Sequence, residues 1–360
     1  MPAEAPACPL VKRTFLLLLV VAAPAWAQES KAPDPLFQDD AVLAVTLTGP
    51  FATLAREKPD EEQLPGTFTY AEESGELVTL DVKLRARGHS RLDICDMPPL
   101  WLNFKKSQVK GTLLHKQDKL KLSVPCGNSL RHEQSILREY LAYRILNEVT
   151  PLSFNVRLLQ MTFVDSDGQR DERVRYAFVL EHKNRLGKRI DRKDLKIEET
   201  SVAEIQPDHL NLTSIFQFMI ANTDFSPIAP SPYNECCHNY VLFGDDDEET
   251  DRLTVAVPYD FDQAGIVNAP YASPGEQFNL TSVRQRLYRG RCENNEHIDA
   301  NLQKFRDARA GIEKLIEDQP GLSNTTRKSV LRFVDGFYKI IDHPKNGTKR
   351  INNRCIEPAS

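Results

Sequence analysis

Beyond residue 30 the sequence has no apolar run approaching the roughly 20 residues that cross a bilayer, and nowhere does it carry C-x2-C, G-x-S-x-G or H-E-x-x-H. The first absence speaks against a retained membrane anchor. The second removes the usual spacing of a structural zinc site, and the other two remove a hydrolase elbow and a zinc-protease helix. Neither sign of charge dominates: a net charge of −5 leaves no basic footprint for nucleic acid. Internal repeats are missing too. The one low-complexity stretch, Asp245 to Glu249, reads as a solvated hairpin tip before it reads as a calcium site.

What is present begins with a targeting pattern. Lys12 and Arg13 precede the apolar run Phe15 to Ala23, which ends in Pro24 and Ala25-Trp26-Ala27, the layout of a cleaved secretory signal. Residues 1–27 are expected to be removed and residues 28–40 to form a flexible mature N-terminus. The acidic, proline-rich start is odd for a signal, so initiation at Val11 is an alternative. The expected location is outside the cytoplasm, periplasmic or extracellular. Loss of Cys8 with the signal leaves Cys95, Cys126, Cys236, Cys237, Cys292 and Cys355, an even set that in an exported chain reads as disulfides. Cys95 and Cys126 flank one β-rich block and can close it, leaving Cys236 and Cys237 to pair with Cys292 and Cys355.

The pattern along the chain changes once. From residue 41 to 181, period-two runs predict strands at Val42 to Leu47, Thr67 to Tyr70, Leu77 to Arg87, Leu100 to Lys105, Lys119 to Val124, Asn155 to Asp165 and Arg173 to Leu180. The first five predict a small antiparallel sheet. Between the fifth and sixth runs, Glu133 to Val149 shows the stripe of an amphipathic helix. Residues 182–360 are mostly helical, with helices predicted at Leu212 to Ile220, Ala300 to Glu317 and Thr325 to Ile341. Two short strands, Tyr240 to Phe243 and Leu253 to Val257, interrupt them. The fold class is α+β.

Polar groups collect where apolar elements end. Asp224 follows the Leu212 to Ile220 helix, Asn239 precedes a strand, and Asp260 and Asp262 follow another. Functional groups gather at such rims. A carboxylate to orient a hydroxyl, with an amide and a second carboxylate for divalent metal, is what phosphoryl transfer asks of a protein.

The stretch Leu137 to Arg144, the run Phe178-Val179-Leu180-Glu181, Asn222-Thr223-Asp224, His238-Asn239-Tyr240 and Pro258-Tyr259-Asp260-Phe261-Asp262 together resemble the CotH family of secreted, spore-coat-type kinases. The likeness spreads from about Arg85 to Arg291. It implies a bilobal protein-kinase-like fold, with a β-rich N-terminal lobe (41–181) and a mostly helical C-terminal lobe (182–360). It implies Asp224 as the catalytic aspartate, Asn239 and Asp260 as metal ligands for Mg²⁺ or Mn²⁺, and Asp262 as a second metal contact. The implied substrates are ATP and a hydroxyl on an exported or cell-envelope protein. One departure stands out: Phe225 to His238, with three prolines and two adjacent cysteines, separates Asp224 from Asn239, either as a tethered lid or as a rebuilt, inactive loop.

For the nucleotide phosphates the candidates are Lys121, with Lys119 and Lys105 behind it, and Glu139 as its partner ahead of Glu133. Arg87, in the turn Arg87-Gly88-His89-Ser90, is a further phosphate candidate. Two rival classes are an exported kinase-like scaffold that has lost catalysis, and a metal-dependent hydrolase built on Asp224, Asp260 and Asp262.

Overall fold

Alternating apolar residues in the first half of the chain give seven strands with one face to fill. In the computed structural model, which describes residue 1 and residues 31–230, 236–245, 252–345 and 347–358, these are β1 (Leu43–Gly49), β2 (Leu64–Ala71), β3 (Leu77–Ala86), β4 (Leu100–Phe104), β5 (Lys119–Ser123), β6 (Val156–Asp165) and β7 (Arg173–Leu180). Short helices α1 (Phe51–Glu57), α2 (Ser90–Ile94) and α3 (Lys106–Val109) lie in the connections. In β3, Leu80, Val82, Leu84 and Ala86 are buried while Asp81 and Lys83 face out. Leu47, Phe68, Leu100, Leu102, Leu122 and Met161 join Leu80, Val82 and Leu84 in one apolar interior, where Phe68 meets Phe104 edge-on at 5.5 Å.

The strands do not stay an open sheet. β1 pairs antiparallel with β2 and parallel with β6, Leu43 opposite Leu159 through Gly49 opposite Asp165. The order β1-β2-β3-β4-β5-β7-β6 is thereby closed into a barrel. This corrects the expected bilobal kinase-like fold and its small antiparallel sheet, because a closed seven-stranded barrel is not the N-terminal lobe of a kinase. The reason is topological. Alternation says which face of a strand is buried but not which strand closes on it, and here the closing ladder joins distant segments.

The next helix, α4 (Leu130–Val149), packs on the outside of β6 and β7. It is buried at every position from Gln134 to Leu146 except Arg144, so the predicted stripe is in fact nearly the whole circumference, as in a helix enclosed on all sides. Phe178, Leu180, Val156 and Leu158 face it from the barrel, and the C-terminal helices cover its other side.

Beyond β7 come α5 (Lys183–Arg189), β8 (Lys193–Asp194), α6 (Pro207–Ile220), β9 (Tyr240–Gly244) and β10 (Val255–Pro258), with the last strands in the order β10-β9-β8. Helices α7 (Ile298–Asp318), α8 (Asn324–Ile341) and α9 (Gly347–Asn352) end the chain. Among the described residues no helix is long and apolar enough to cross a membrane. Disulfides join Cys95 to Cys126 and Cys292 to Cys355. Cys236 is joined to its neighbour Cys237, so these two do not pair with Cys292 and Cys355 as expected. The proposed signal, Cys8 and most of the acidic tip lie outside the described residues.

Candidate functional site

Helix α6 ends because Ala221 adopts a left-handed conformation, φ 51°, and its N–H donates back into the last turn. The chain then turns into Asn222, whose Oδ1 accepts from the Asp224 N–H at 3.0 Å. Arg289 donates to the carbonyls of Thr223 and Phe225, both at 2.7 Å, and so grips the backbone on either side of Asp224. Gly265 N–H donates to Ala221 O at 3.0 Å, bringing the segment after β10 against the same helix end. Only glycine suits this approach, since a Cβ there would lie 2.4 Å from Val283 O.

The long excursion after Asp224 folds back on itself. Ser226 N–H donates to His238 O at 2.9 Å and His238 N–H to Ala229 O at 3.0 Å. Asn239 is thereby returned to Asp224, donating through Nδ2 to its carbonyl at 2.7 Å and to Oδ2 at 3.0 Å. His238 Nε2 lies 2.7 Å from Asp224 Oδ1; an ionised carboxylate only accepts, so the imidazole donates. Asn239 and Asp260 both hold positive φ, 56° and 61°. This conformation costs a non-glycine residue on the order of 1 kcal/mol and is concentrated at functional sites. Tyr143 Oη of α4 accepts from the Asp260 N–H at 2.9 Å.

Arg87, Lys121, Asp224, Asn239, Asp260 and Asp262 all line one cleft of about 650 Å³. Glu139 does not. It lies beneath, 2 % exposed, and its partner is Arg91 of α2 at 3.7 Å instead of Lys121. The same guanidinium contacts Asp260 Oδ1 at 2.5 Å and Asp262 Oδ2 at 3.4 Å. Lys121 points away from the barrel, over the rings of Tyr259 at 4.5 Å and Trp101 at 5.6 Å. Glu133 accepts from the Tyr176 N–H, a structural role.

Charge in the cleft is finely opposed. Burial works to raise the Asp260 carboxyl, but Arg91, Arg87 and Lys121 outweigh it and hold it below the usual range. Burial raises the carboxyls of Glu139 and Asp262 while Arg91 pulls both down. Burial, then repulsion from Arg87, brings the Lys121 ammonium down to about 7. The hydrogen bond to Asp224 raises the His238 imidazole.

A divalent ion fits this donor set only in part. Asp260 keeps Oδ2 and Asn239 keeps Oδ1 for a ligand, since Arg91 contacts the first through Oδ1 and Asp224 engages the second through Nδ2. Asp262, whose Oδ2 lies 3.4 Å from Arg91, lines the same cleft. Among the described residues the one group of three convergent metal-type donors is Cys292, Cys355 and Glu357, and its sulfurs are bonded to each other. The cleft is no standing metal cage. Two oxygens suffice, however, for an ion that arrives with phosphate oxygens and water.

An adjoining cavity of about 490 Å³ shares Trp101, Lys121 and Tyr259 with the cleft and continues between Phe154, Leu180 and Leu242. A larger cavity, about 870 Å³, lies elsewhere. Its charges are largely paired internally, Arg185 with Asp34, Arg189 with Glu181 and Arg192 with Asp245, which makes it the weaker candidate. Sequence reasoning missed Arg91, Trp101, Tyr143, Tyr259 and Arg289. None of these had a signal of its own: Arg91 follows Arg87 by four residues, but Arg87 lies outside the helix that carries Arg91. The sequence matches no protein-family model, and no curated protein is significantly similar to it.

Proposed function

We propose that the protein is an exported phosphotransferase that moves the γ-phosphate of ATP to a hydroxyl group, on an exported or cell-envelope protein, with Mg²⁺ or Mn²⁺. The observation that carries this reading is the meeting of Asp224, Asn239 and Asp260 with Lys121 and Arg87 around one cleft. Asp224 is the group for the acceptor. As the hydroxyl oxygen bonds to the γ-phosphorus and the bond to the β–γ bridging oxygen breaks, the hydroxyl proton passes to Asp224 and the nucleoside diphosphate leaves. His238 holds that carboxylate in place. Arg87 supplies positive charge for the phosphates, and Lys121, lowered to about 7, takes up its proton as their negative charge arrives. The cavity between Phe154, Leu180 and Leu242 suits a planar base. A divalent ion held by Asp260 and Asn239 would neutralise charge on the phosphates.

The resemblance to secreted CotH kinases points to the same activity but does not carry it, since the barrel is not the fold that the resemblance implied. Export is supported by the two long-range disulfides and by the leader pattern. One observation favours a catalytically inactive binding scaffold instead, the engagement of Asp260 and Asp262 by Arg91. Nucleotide binding by the purified chain with and without Mg²⁺ or Mn²⁺ decides. Asp260→Ala is expected to abolish the metal-dependent part. Asp224→Ala is expected to bind normally and to lose transfer by about 10²-fold or more. A parent chain that binds nucleotide with metal but transfers nothing supports the scaffold. Unchanged binding in Asp260→Ala removes the site assignment altogether.

A further inference from the structure

Away from the cleft, arginines gather without a counter-ion. Arg138 of α4 is 8 % exposed, yet only its Nε is used, donating to Gln134 O at 3.1 Å. Its terminal nitrogens have no hydrogen-bond partner and are not sealed from solvent. Arg284 and Arg286 lie over the ring of Phe333 in α8, at 4.6 and 4.1 Å. Arg286 is spent on carbonyls, Met219 O at 3.2 Å and Phe333 O at 2.5 Å, whereas Arg284 makes one long bond, from Nη1 to Gly265 O at 3.3 Å. The charges felt by these side chains are positive. Burial, then repulsion from Arg284 and Arg131, brings the Arg138 guanidinium down to about 10, and burial followed by Arg332 lowers Arg284. Among the described residues no carboxylate pairs with Arg131, Arg138, Arg284, Arg286 or Arg332. A guanidinium keeps its proton at neutral pH, and a buried charge left uncompensated is costly.

We infer that Arg138 and Arg284, with Arg131 and Arg332 at the rim, form a second binding site, for a phosphate-class oxyanion, between α4, the segment Val283 to Arg286 and α8. Its ligand is a tetrahedral dianion, either free phosphate or a phosphate monoester. Such a group accepts several hydrogen bonds at once and meets a guanidinium fork through two parallel ones. It supplies what Arg138 lacks, acceptors for its terminal N–H groups, and what the whole cluster lacks, negative charge. The site is separate from the cleft, since none of these arginines lines the space shared by Arg87, Lys121 and Asp260. It stands whether or not the protein is a phosphotransferase.

The test is thermal unfolding of the full chain in inorganic phosphate and in methyl phosphate, each against chloride at matched pH and ionic strength. Phosphate is expected to raise the melting temperature of the parent and, equally, of Lys121→Met, whose cleft has lost a phosphate contact. Arg138→Met is expected to melt at or above the parent in chloride, because an unpaired buried charge is gone. It is also expected to bind phosphate about tenfold or more weakly, so that its phosphate shift largely disappears. Arg284→Gln, at a half-buried position, is expected to lose the same shift, and it carries the test should Arg138→Met not fold. A shift in methyl phosphate as large as that in phosphate, or larger, identifies a carried phosphoryl group as the ligand; a smaller one identifies the free ion. A parent indifferent to both anions overturns the inference, and so does a phosphate shift that survives in Arg284→Gln. A shift lost in Lys121→Met but kept in Arg138→Met assigns the anion to the cleft and overturns it as well.

Discussion

With its ammonium brought down to about 7 by burial and by Arg87, Lys121 carries a free amine over much of the neutral range, where a surface lysine stays protonated. Trinitrobenzenesulfonate at pH 7–8 is therefore expected to modify Lys121 ahead of the other lysines, with a rate that climbs through about pH 7. Lys121→Met should remove the fast phase, and ATP should slow it if phosphates sit there. A single slow phase for every lysine would contradict the placement of Lys121. At this scale the sequence was readable where a polar residue ended an apolar element, which is how Asp224, Asn239 and Asp260 stood out. Lys121 was half readable, because alternation assigned its face to the outside of the sheet and the outside turned out to be a cleft wall. Arg91 was not. It sits on a five-residue helix, and only tertiary contact with α4 and the segment after β10 buries it.

Helix α5 shows how an element can inherit a pH limit from one residue. Its N-cap is His182, whose Nδ1 accepts from the Asn184 N–H at 3.2 Å, and burial followed by repulsion from Lys121 lowers that imidazole from 6.5 to about 4. Between those values the unfolded chain takes up a proton that the folded chain refuses, so stability should fall as pH drops from 6.5 toward 4. His182→Asn keeps a neutral acceptor at the cap. Its melting temperature should decline less over that window, by an amount corresponding to roughly 1–2 kcal/mol for a partly exposed imidazole; parallel curves for parent and variant would contradict the lowered protonation of His182 in the folded chain. In the barrel, Leu84 is fully buried, and Gly49 of β1 and Gly66 of β2 leave room for its Cδ1, which a Cβ would approach to 2.4 and 3.1 Å. Leu84→Ala should cost about 2–5 kcal/mol in urea unfolding, whereas a loss under 1 kcal/mol would mean that the barrel repacks freely. All seven of these strands could be placed from alternation, and so could α4 and α6. Their closure could not, because Leu43 meets Leu159 for reasons that neither segment displays alone.

On the scale of the whole molecule, the link from Cys292 to Cys355 spans 63 residues and fastens the segment ahead of α7 to the chain beyond α9. A loop of that size removes about 4 kcal/mol of unfolded-state entropy. The Cys292→Ala/Cys355→Ala pair should unfold at correspondingly lower denaturant, and thiol titration of the denatured, unreduced mature chain should find none of its six cysteines free. Two or more free thiols would overturn the reading that all six cysteines are paired. The parallel seam between β1 and β6 has a different consequence, one of timing. At roughly 5–20 residues per second of synthesis, β1 is made several seconds before the strand that seals it, and in that interval its outer backbone is an unguarded edge, open to any other strand. A nascent chain of this protein should therefore depend on a holding chaperone until β6 emerges, and translation arrested between α4 and β6 should yield aggregates where arrest after β7 does not.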